Sequence, residues 1–465
     1  MAKTEKNIFR LDYALLPIFS VLIAMASGFF FPDNAHLVIV ILPVAILALI
    51  VSWFNPYIFI LILLAIIPLD TMVAIPEVIK KLSLFKLLFP IPLIILCLGL
   101  VINRFRFLEL NALDKAIIGW TLLNLCLIAL SVDTPAALDF CRRFVSMSFF
   151  YFLVTRLMNS PERAMQVIKV VFYSTLVSVA VGSISFLTGS NPFSKHVDPN
   201  LIRSTGGSGL DPNSYAALLF LPLWLSMAFA LETSSKRKKL FFFVCFGLLL
   251  SGIVMTYSRS AFLCLVIMIL LALFFWRKHI SPTHLIVFLV ICVFMLPLVP
   301  VDYIERIASL EQMFSNNPSD ISLVRRSNYI AVGWNIFKEY PIFGAGPGNF
   351  AVLHAKAAFQ PNMALIGTER LPHNLFLQVA SETGICGLLF FIVTLFCVYL
   401  SLVRLTRPNN SLSSVASATL ISFAGLLFMG LFLHMLLAKT FWLILIFARI
   451  IPGMSSWKQQ PSYAS

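Results

Sequence analysis

Run after run of apolar residues, parted by short polar or basic loops, limits this chain more than any other feature. The runs lie near 13–31, 35–53, 56–70, 84–102, 116–131, 141–157, 165–187, 214–231, 240–256, 259–276, 284–300 and 374–403. A bilayer core is about 30 Å thick and is crossed by roughly 20 residues of helix. Inside it every backbone N–H and C=O must be satisfied within the protein, which leaves helices or closed barrels. Barrel strands alternate apolar and polar residues, and these runs do not. At 60% hydrophobic and 12% charged residues, with mean hydropathy +0.94, the chain lies far from soluble composition. The tail 413–451 is too long for one span, and His434 and Lys439 interrupt it, predicting two helices, one of them short or re-entrant. The fold class is therefore an all-α polytopic integral membrane protein, with about 12–14 transmembrane helices and one large outward-facing loop domain.

Short loops rich in Lys and Arg mark the cytoplasmic side. Segments 103–115, 232–239, 276–282 and 404–410 are basic, which places both termini inside; Lys80 and Lys81, in an opposite-side loop, are an exception. The net charge of +14 is accounted for by such loops and does not call for nucleic acid. The basic N-terminus leads into an apolar stretch containing Ala24-Met25-Ala26, similar to a cleavage site, but the run continues through Phe31 and reads as an uncleaved first helix. The eight cysteines include no CxxC pair and read as small buried hydrophobes. Segments 188–213 and 301–372 then face outward, and the latter balances six Lys/Arg against six Asp/Glu.

The chain has no GxxxxGK[ST], no HExxH and no DxD pair, which disfavours nucleotide hydrolysis and metal-bound sugar nucleotides. FGAGPGNF (343–350) has phosphate-loop glycine spacing without the following Lys-Ser/Thr. It is either a tight turn or a set of N–H groups, Gly346 and Gly348 among them, that approaches an anion. SLVRRSNYIAVGWNIFKEYP (322–341) reads as an amphipathic helix, with Ile330, Trp334 and Phe337 on one apolar face and Pro341 as its stop. Arg325 and Arg326 occupy its first turn, against the helix dipole, where they meet lipid headgroups or a bound anion. Arg259 lies at the junction of two spans, either snorkelling or facing a cavity. Arg203 is similar, and Asp211 or Asn213 beyond it suits a helix cap. In LPHNLFLQVASETGICG (371–387), Asn374, Gln378 and Glu382 form a stripe at i, i+4 and i+8, which must face the bundle or a wet cavity. His373 sits at its mouth and titrates near neutrality. It is out of phase with Glu382, so the stripe is expected to hold the helix and orient the histidine. Several arginines, one histidine and a hydrocarbon-lined setting suit a lipid-linked diphosphate.

The Arg-led Trp helix, PIFGAGPGNF and HNLFLQVASETGICG, preceded by LDPNSYAALL (210–219) and YSRSA (257–261), resemble the O-antigen ligase family of the ligase/polymerase superfamily over roughly 203–390. The resemblance implies a metal-independent, GT-C-like inverting glycosyltransferase without cofactor in the bacterial inner membrane. It would take a glycan from undecaprenyl diphosphate at the periplasmic face and pass it to lipid A-core. Extension of a growing glycan by a polymerase of the same superfamily is the alternative; from another class, a polysaccharide transporter or flippase. Matched by motif, His373 is the essential loop histidine, Arg259 the arginine of the Ser-Arg segment, Arg325 or Arg326 the arginine before the Trp, and Arg203 a further match. Asn374, Gly346 and Gly348 are expected at the substrate, with Gln378 and Glu382 as supports. On this reading 1–300 is a helix bundle, 301–372 a periplasmic loop, and 373–465 the last membrane helices and a cytoplasmic tail.

Overall fold

The computed structural model describes residues 55–69, 109–158, 160–187, 194–198, 201–206, 211–277, 321–362, 365–407 and 410–457, with isolated helical positions at 286, 290 and 304. The spans expected near 13–31, 35–53 and 84–102, and most of 284–300, lie outside them. The described residues are almost entirely helical and include five helices long and apolar enough to cross a membrane. This is an all-α, multi-pass membrane protein.

The chain divides into two units. The first contains helix α1 (Pro56–Ile66), helix α4 (Pro161–Leu187), a two-stranded hairpin of β1 (Ser194–Asp198) and β2 (Leu201–Ser204), and the first turn of α5 (Pro212–Glu232). Asn55 caps α1 by accepting from the Ile58 N–H at 3.3 Å, and Pro56 suits the first turn, where no N–H is needed. The hairpin is antiparallel, with Lys195 opposite Arg203.

The second unit holds α2 (Ala112–Leu127), most of α3 (Thr134–Leu157), the rest of α5, α6 (Lys236–Val254), α7 (Arg259–Trp276), α8 (Ile321–Glu339), α9 (Phe350–His354), α10 (Leu375–Val403), α11 (Ser413–Met429) and α12 (Lys439–Trp457). Helix α2 packs along α10, Gly119 facing Phe390, and α7 packs along α11, where Gly425 faces Met268 and Cys264 faces Met429. Small residues at such crossings let helices approach closely in a medium that supplies no hydrophobic drive. Trp120, Phe144, Phe391 and Trp442 meet in a buried aromatic cluster with ring centroids 5.1–5.5 Å apart. At the end of α2 away from Glu382, a capping box of Asn111 and Asp114 starts the helix. Buried Asp114 also accepts from Arg449 at 3.1 Å and Tyr151 at 2.7 Å, so the carboxylate is paired as burial demands. The tail divides at the His434–Lys439 stretch, as its two polar residues predict.

Helix α10 breaks at Gly384, whose φ of 63° and ψ of −162° lie outside the helical range. The break exchanges hydrogen bonds within the helix for bonds to the segment that follows α8. Ile385 and Cys386 donate to the carbonyls of Pro341 and Ile342 at 2.9 and 3.2 Å, while Ser381 and Glu382 accept from Ala345 and Gly346 at 3.0 and 2.9 Å. These four backbone groups at the kink thus find partners outside the helix. A Cβ on Gly344 or Gly384 would run into the backbone of the other segment, and both have positive φ, so the crossing needs glycine on each side.

The amphipathic helix expected at 322–341 is present as α8, but its buried face is Tyr329, Val332 and Ile336, packed with Ala345, Phe350 and Leu353. Ile330 and Trp334, on the face picked out by periodicity, are exposed. The helix is apolar on two sides, and contact with α9 and α10 selects the side carrying Tyr329 and Gly333.

Candidate active site

Two clusters of polar side chains sit on the first turns of α10. The upper one is the helix start. Pro372 is buried, His373 has φ +44°, and Asn374 caps α10 by accepting from the Leu377 N–H at 3.0 Å. The Asn374 amide also donates to the Leu431 carbonyl at 3.2 Å, and Leu375 N–H donates to Gly430 at 2.6 Å. The helix start is thereby tied to the turn after α11. That turn carries Phe432 and His434. The His373 ring stacks on Tyr329, centroids 5.4 Å apart and 25° from parallel, and meets the His434 ring edge-on at 4.9 Å and 80°. From α8 the Arg326 guanidinium lies 5.4 Å from the Phe432 ring centre, a cation–π distance. Arg326 and Tyr329 stand three residues apart on one side of α8, so the helix presents its cation and its ring together. Arg325 is exposed. Of the two arginines, it is Arg326 that lies beside the ring cluster.

Arg259 opens α7 behind its cap Ser258, whose hydroxyl accepts from Ala261 N–H at 3.2 Å. Its side chain is buried. Because α7 runs antiparallel to α11 and Cys264 touches Met429, Arg259 lies at the end of the bundle where Gly430 receives α10. Among the described residues only Tyr257 and His373 combine a side chain with positive φ. One precedes Arg259 by two positions and the other is the predicted base. Such strain persists only where the surroundings impose it, and it concentrates at functional positions.

The lower cluster surrounds Glu382. Its buried carboxyl is hydrogen-bonded by the backbone N–H groups of Gly348 and Phe350 and, at 3.4 Å, by Gln378 Nε2. Gly346 N–H is taken by the Glu382 carbonyl. The glycine-rich loop therefore closes on Glu382, with Gly348 N–H directed at its carboxyl and Gly346 N–H at its backbone carbonyl. Asn349 fastens the other side of the loop, accepting from Asp133 N–H at 2.6 Å and donating to the Asp133 carbonyl at 3.1 Å.

Tyr329 also meets buried His354, ring centroids 5.6 Å apart. His354 Nδ1 lies 2.8 Å from the Thr368 carbonyl oxygen and so carries a proton, while Nε2 has Asn328 Oδ1 at 3.2 Å and Gln360 Nε2 at 3.3 Å. Burial, and then the nearby Arg370 charge, push the His354 pKa down against the opposing Thr368 bond, favouring a neutral ring that fixes Tyr329.

Arg203 belongs to the first unit, where it is buried and donates to Asn213 Oδ1 at 2.9 Å. Asp211 caps α5, accepting from Asn213 N–H at 3.0 Å and from Ser214 N–H at 3.3 Å. The sequence reading passed over Tyr329, Phe432 and His434. Tyr329 had a usable signal, its three-residue spacing from Arg326. His434 had only the oddity of a histidine in an apolar tail.

A helix bundle with a histidine and arginines gathered at one end of its spans has the parts of a membrane glycosyltransferase. Residues 243–392 match the family described as O-Antigen ligase. The match takes in Arg259, Arg325, Arg326, the glycine loop, His373 and Glu382. This segment is similar to the O-antigen ligase family, which indicates a membrane glycosyltransferase of the ligase/polymerase type. No curated protein matches the chain.

Proposed function

We propose that the chain transfers a glycan from undecaprenyl diphosphate to an acceptor hydroxyl at the periplasmic face of the bacterial inner membrane, as a ligase with lipid A-core as acceptor. The observation that carries this reading is the His373 corner. A partly exposed imidazole is held between two rings at the start of a membrane helix, with Arg326 alongside and Arg259 at the same end.

His373 takes the proton of the acceptor hydroxyl as its oxygen attacks C1 of the donor sugar. The bond from C1 to the diphosphate oxygen breaks, and its electron pair leaves on the diphosphate. Arg259 and Arg326 stabilise that growing charge, and attack from the opposite face inverts the anomeric centre. Arg325 adds to the positive field that gathers the donor. Asn374 fixes the backbone that aims His373, while Gln378, Glu382 and the Gly346–Gly348 loop brace α10 below it.

The test is purified protein supplied with undecaprenyl-diphosphate-linked glycan and lipid A-core. Glycan joined to lipid A-core supports the ligase. Lengthening on the carrier lipid alone makes the chain a polymerase, and transport without a new glycosidic bond removes the enzyme reading.

A further inference from the structure

Helix α8 leaves its second apolar face uncovered. Ile330 and Trp334 are 53% and 52% exposed, and past Pro341 the stripe continues through Ile342 at 58% and Phe343 at 47%. A run of large apolar side chains this long is unusual on a surface that meets water.

The position of α8 says what covers it. Gly333 abuts Leu377, and eight residues later the carbonyls of Pro341 and Ile342 receive the N–H groups of Ile385 and Cys386. Helices α8 and α10 therefore run side by side in the same direction and in step, for about 12 Å at 1.5 Å per residue. Helix α10 is a candidate membrane span, and below this stretch its outward side chains are Leu389, Ile392, Val393 and Phe396. The exposed stripe of α8 thus continues the lipid-facing side of α10.

A second span sets the depth. The candidate span Ala112–Leu130 ends just before Val132, whose N–H donates to the Ala345 carbonyl at 2.9 Å. Ile342 and Phe343 are consequently level with the last turn of that helix, while the candidate span Arg259–Trp276 begins at the end of the bundle where α10 starts beside Gly333, so this stretch of α8 lies at a depth between the ends of two membrane spans. Higher on the stripe, Lys338 Nζ sits 5.7 Å from the Trp334 ring centre. Trp and Lys are the side chains that collect where hydrocarbon gives way to headgroups.

We propose that this face of α8, Ile330, Trp334 and Phe337 together with Ile342 and Phe343, is a membrane-embedded surface, covered by the acyl chains of the leaflet on the His373 side. The helix is a wedge sunk into that leaflet, with Arg326 at its upper end.

The test uses the full chain in liposomes containing a phospholipid with a diazirine on its acyl chain. After irradiation, trypsin releases segment 327–338 from α8 and segment 357–370 from the water-facing loop, and mass spectrometry locates the adducts. The expected result is several-fold more lipid adduct on 327–338 than on 357–370, at Ile330 and Trp334 and not at Val332 or Ile336. Equal or lower labelling of 327–338 overturns the proposal. So does a face marked neither by the lipid carbene nor by hydroxyl radicals from water, because protein then covers it. The measurement reads no glycosyl transfer, so its failure leaves the role of His373 standing.

Discussion

His373 and Glu382 lie nine residues apart along the same helix and are held in opposite ways. Glu382 is buried and saturated, with two backbone N–H groups and one amide directed at its carboxyl. His373 keeps partial exposure and is fixed by ring contacts, by an unusual backbone angle and by the neighbouring cap. A carboxylate buried in a membrane protein must be satisfied or it destabilises the fold. A base that exchanges protons with substrate needs orientation without saturation. The contrast separates a brace from a reactive group, and it can be broken by substitutions that move activity and stability apart.

The largest separation is expected at His373. His373→Ala should lower glycan transfer by about 10²- to 10⁴-fold, the usual contribution of a positioned acid–base group. Thermal unfolding of the purified variant should stay close to wild type, since the ring is partly exposed. A variant that transfers glycan at near wild-type rate removes His373 from the chemistry; one that unfolds early shows the corner to be a brace as well. Next come the adjacent arginines. Arg326→Ala should weaken binding of undecaprenyl diphosphate by about 1.5–3 kcal/mol, the range for bonds to charged groups. Arg325→Ala should cost much less, because that side chain is exposed while Arg326 lies over Phe432. Equal losses in a binding titration would contradict the geometric distinction between them.

Glu382 should behave the other way. Glu382→Ala strands the N–H groups of Gly348 and Phe350 in a buried site, a cost of about 1–3 kcal/mol. Glu382→Gln keeps an acceptor and should recover part of it. The expected readout is a lower unfolding temperature for Ala than for Gln, with residual transfer in both well above that of His373→Ala. If Glu382→Gln folds normally yet is as inactive as His373→Ala, the carboxylate takes part in the reaction and the contrast between brace and base collapses.

How much of this was legible follows from how each feature is encoded. Membrane helices announce themselves one at a time, because each apolar run is a local property of the chain. The Gln378–Glu382 pair was legible for the same reason, being four residues apart on one helix. The partner of Glu382 was not. Nothing in GAGPGNF says that its N–H groups close on a carboxylate more than thirty residues later, and the same glycines suit an external phosphate equally well. The face of α8 was misread because periodicity identifies an apolar side and is silent when two sides qualify. His434 came into view only when the turn after α11 was placed against His373.

The smallest effect concerns the support behind the corner. His354 has a folded pKa below its ordinary value of 6.5, with burial as the main cause. The unfolded chain then binds a proton at a pH where the folded chain does not, so stability rises with pH across that interval. The stabilisation is full above about 6.5 and is lost as pH falls through the folded value. The region built on α8 and α9 should therefore loosen on mild acidification, and exposed Lys356 offers trypsin a place to report it. His354→Gln should be cut somewhat faster than wild type near pH 7, because the bond to Thr368 is lost. The difference should shrink as pH falls below about 6.5, where wild type gives up its advantage. Comparing the two proteins at each pH cancels trypsin's own pH dependence, and a difference that stays constant would show that His354 does not titrate on unfolding. Because the Tyr329 ring meets both His354 and His373, the same acidification should blur the stacking that aims the base, a loss separate from protonation of His373 itself.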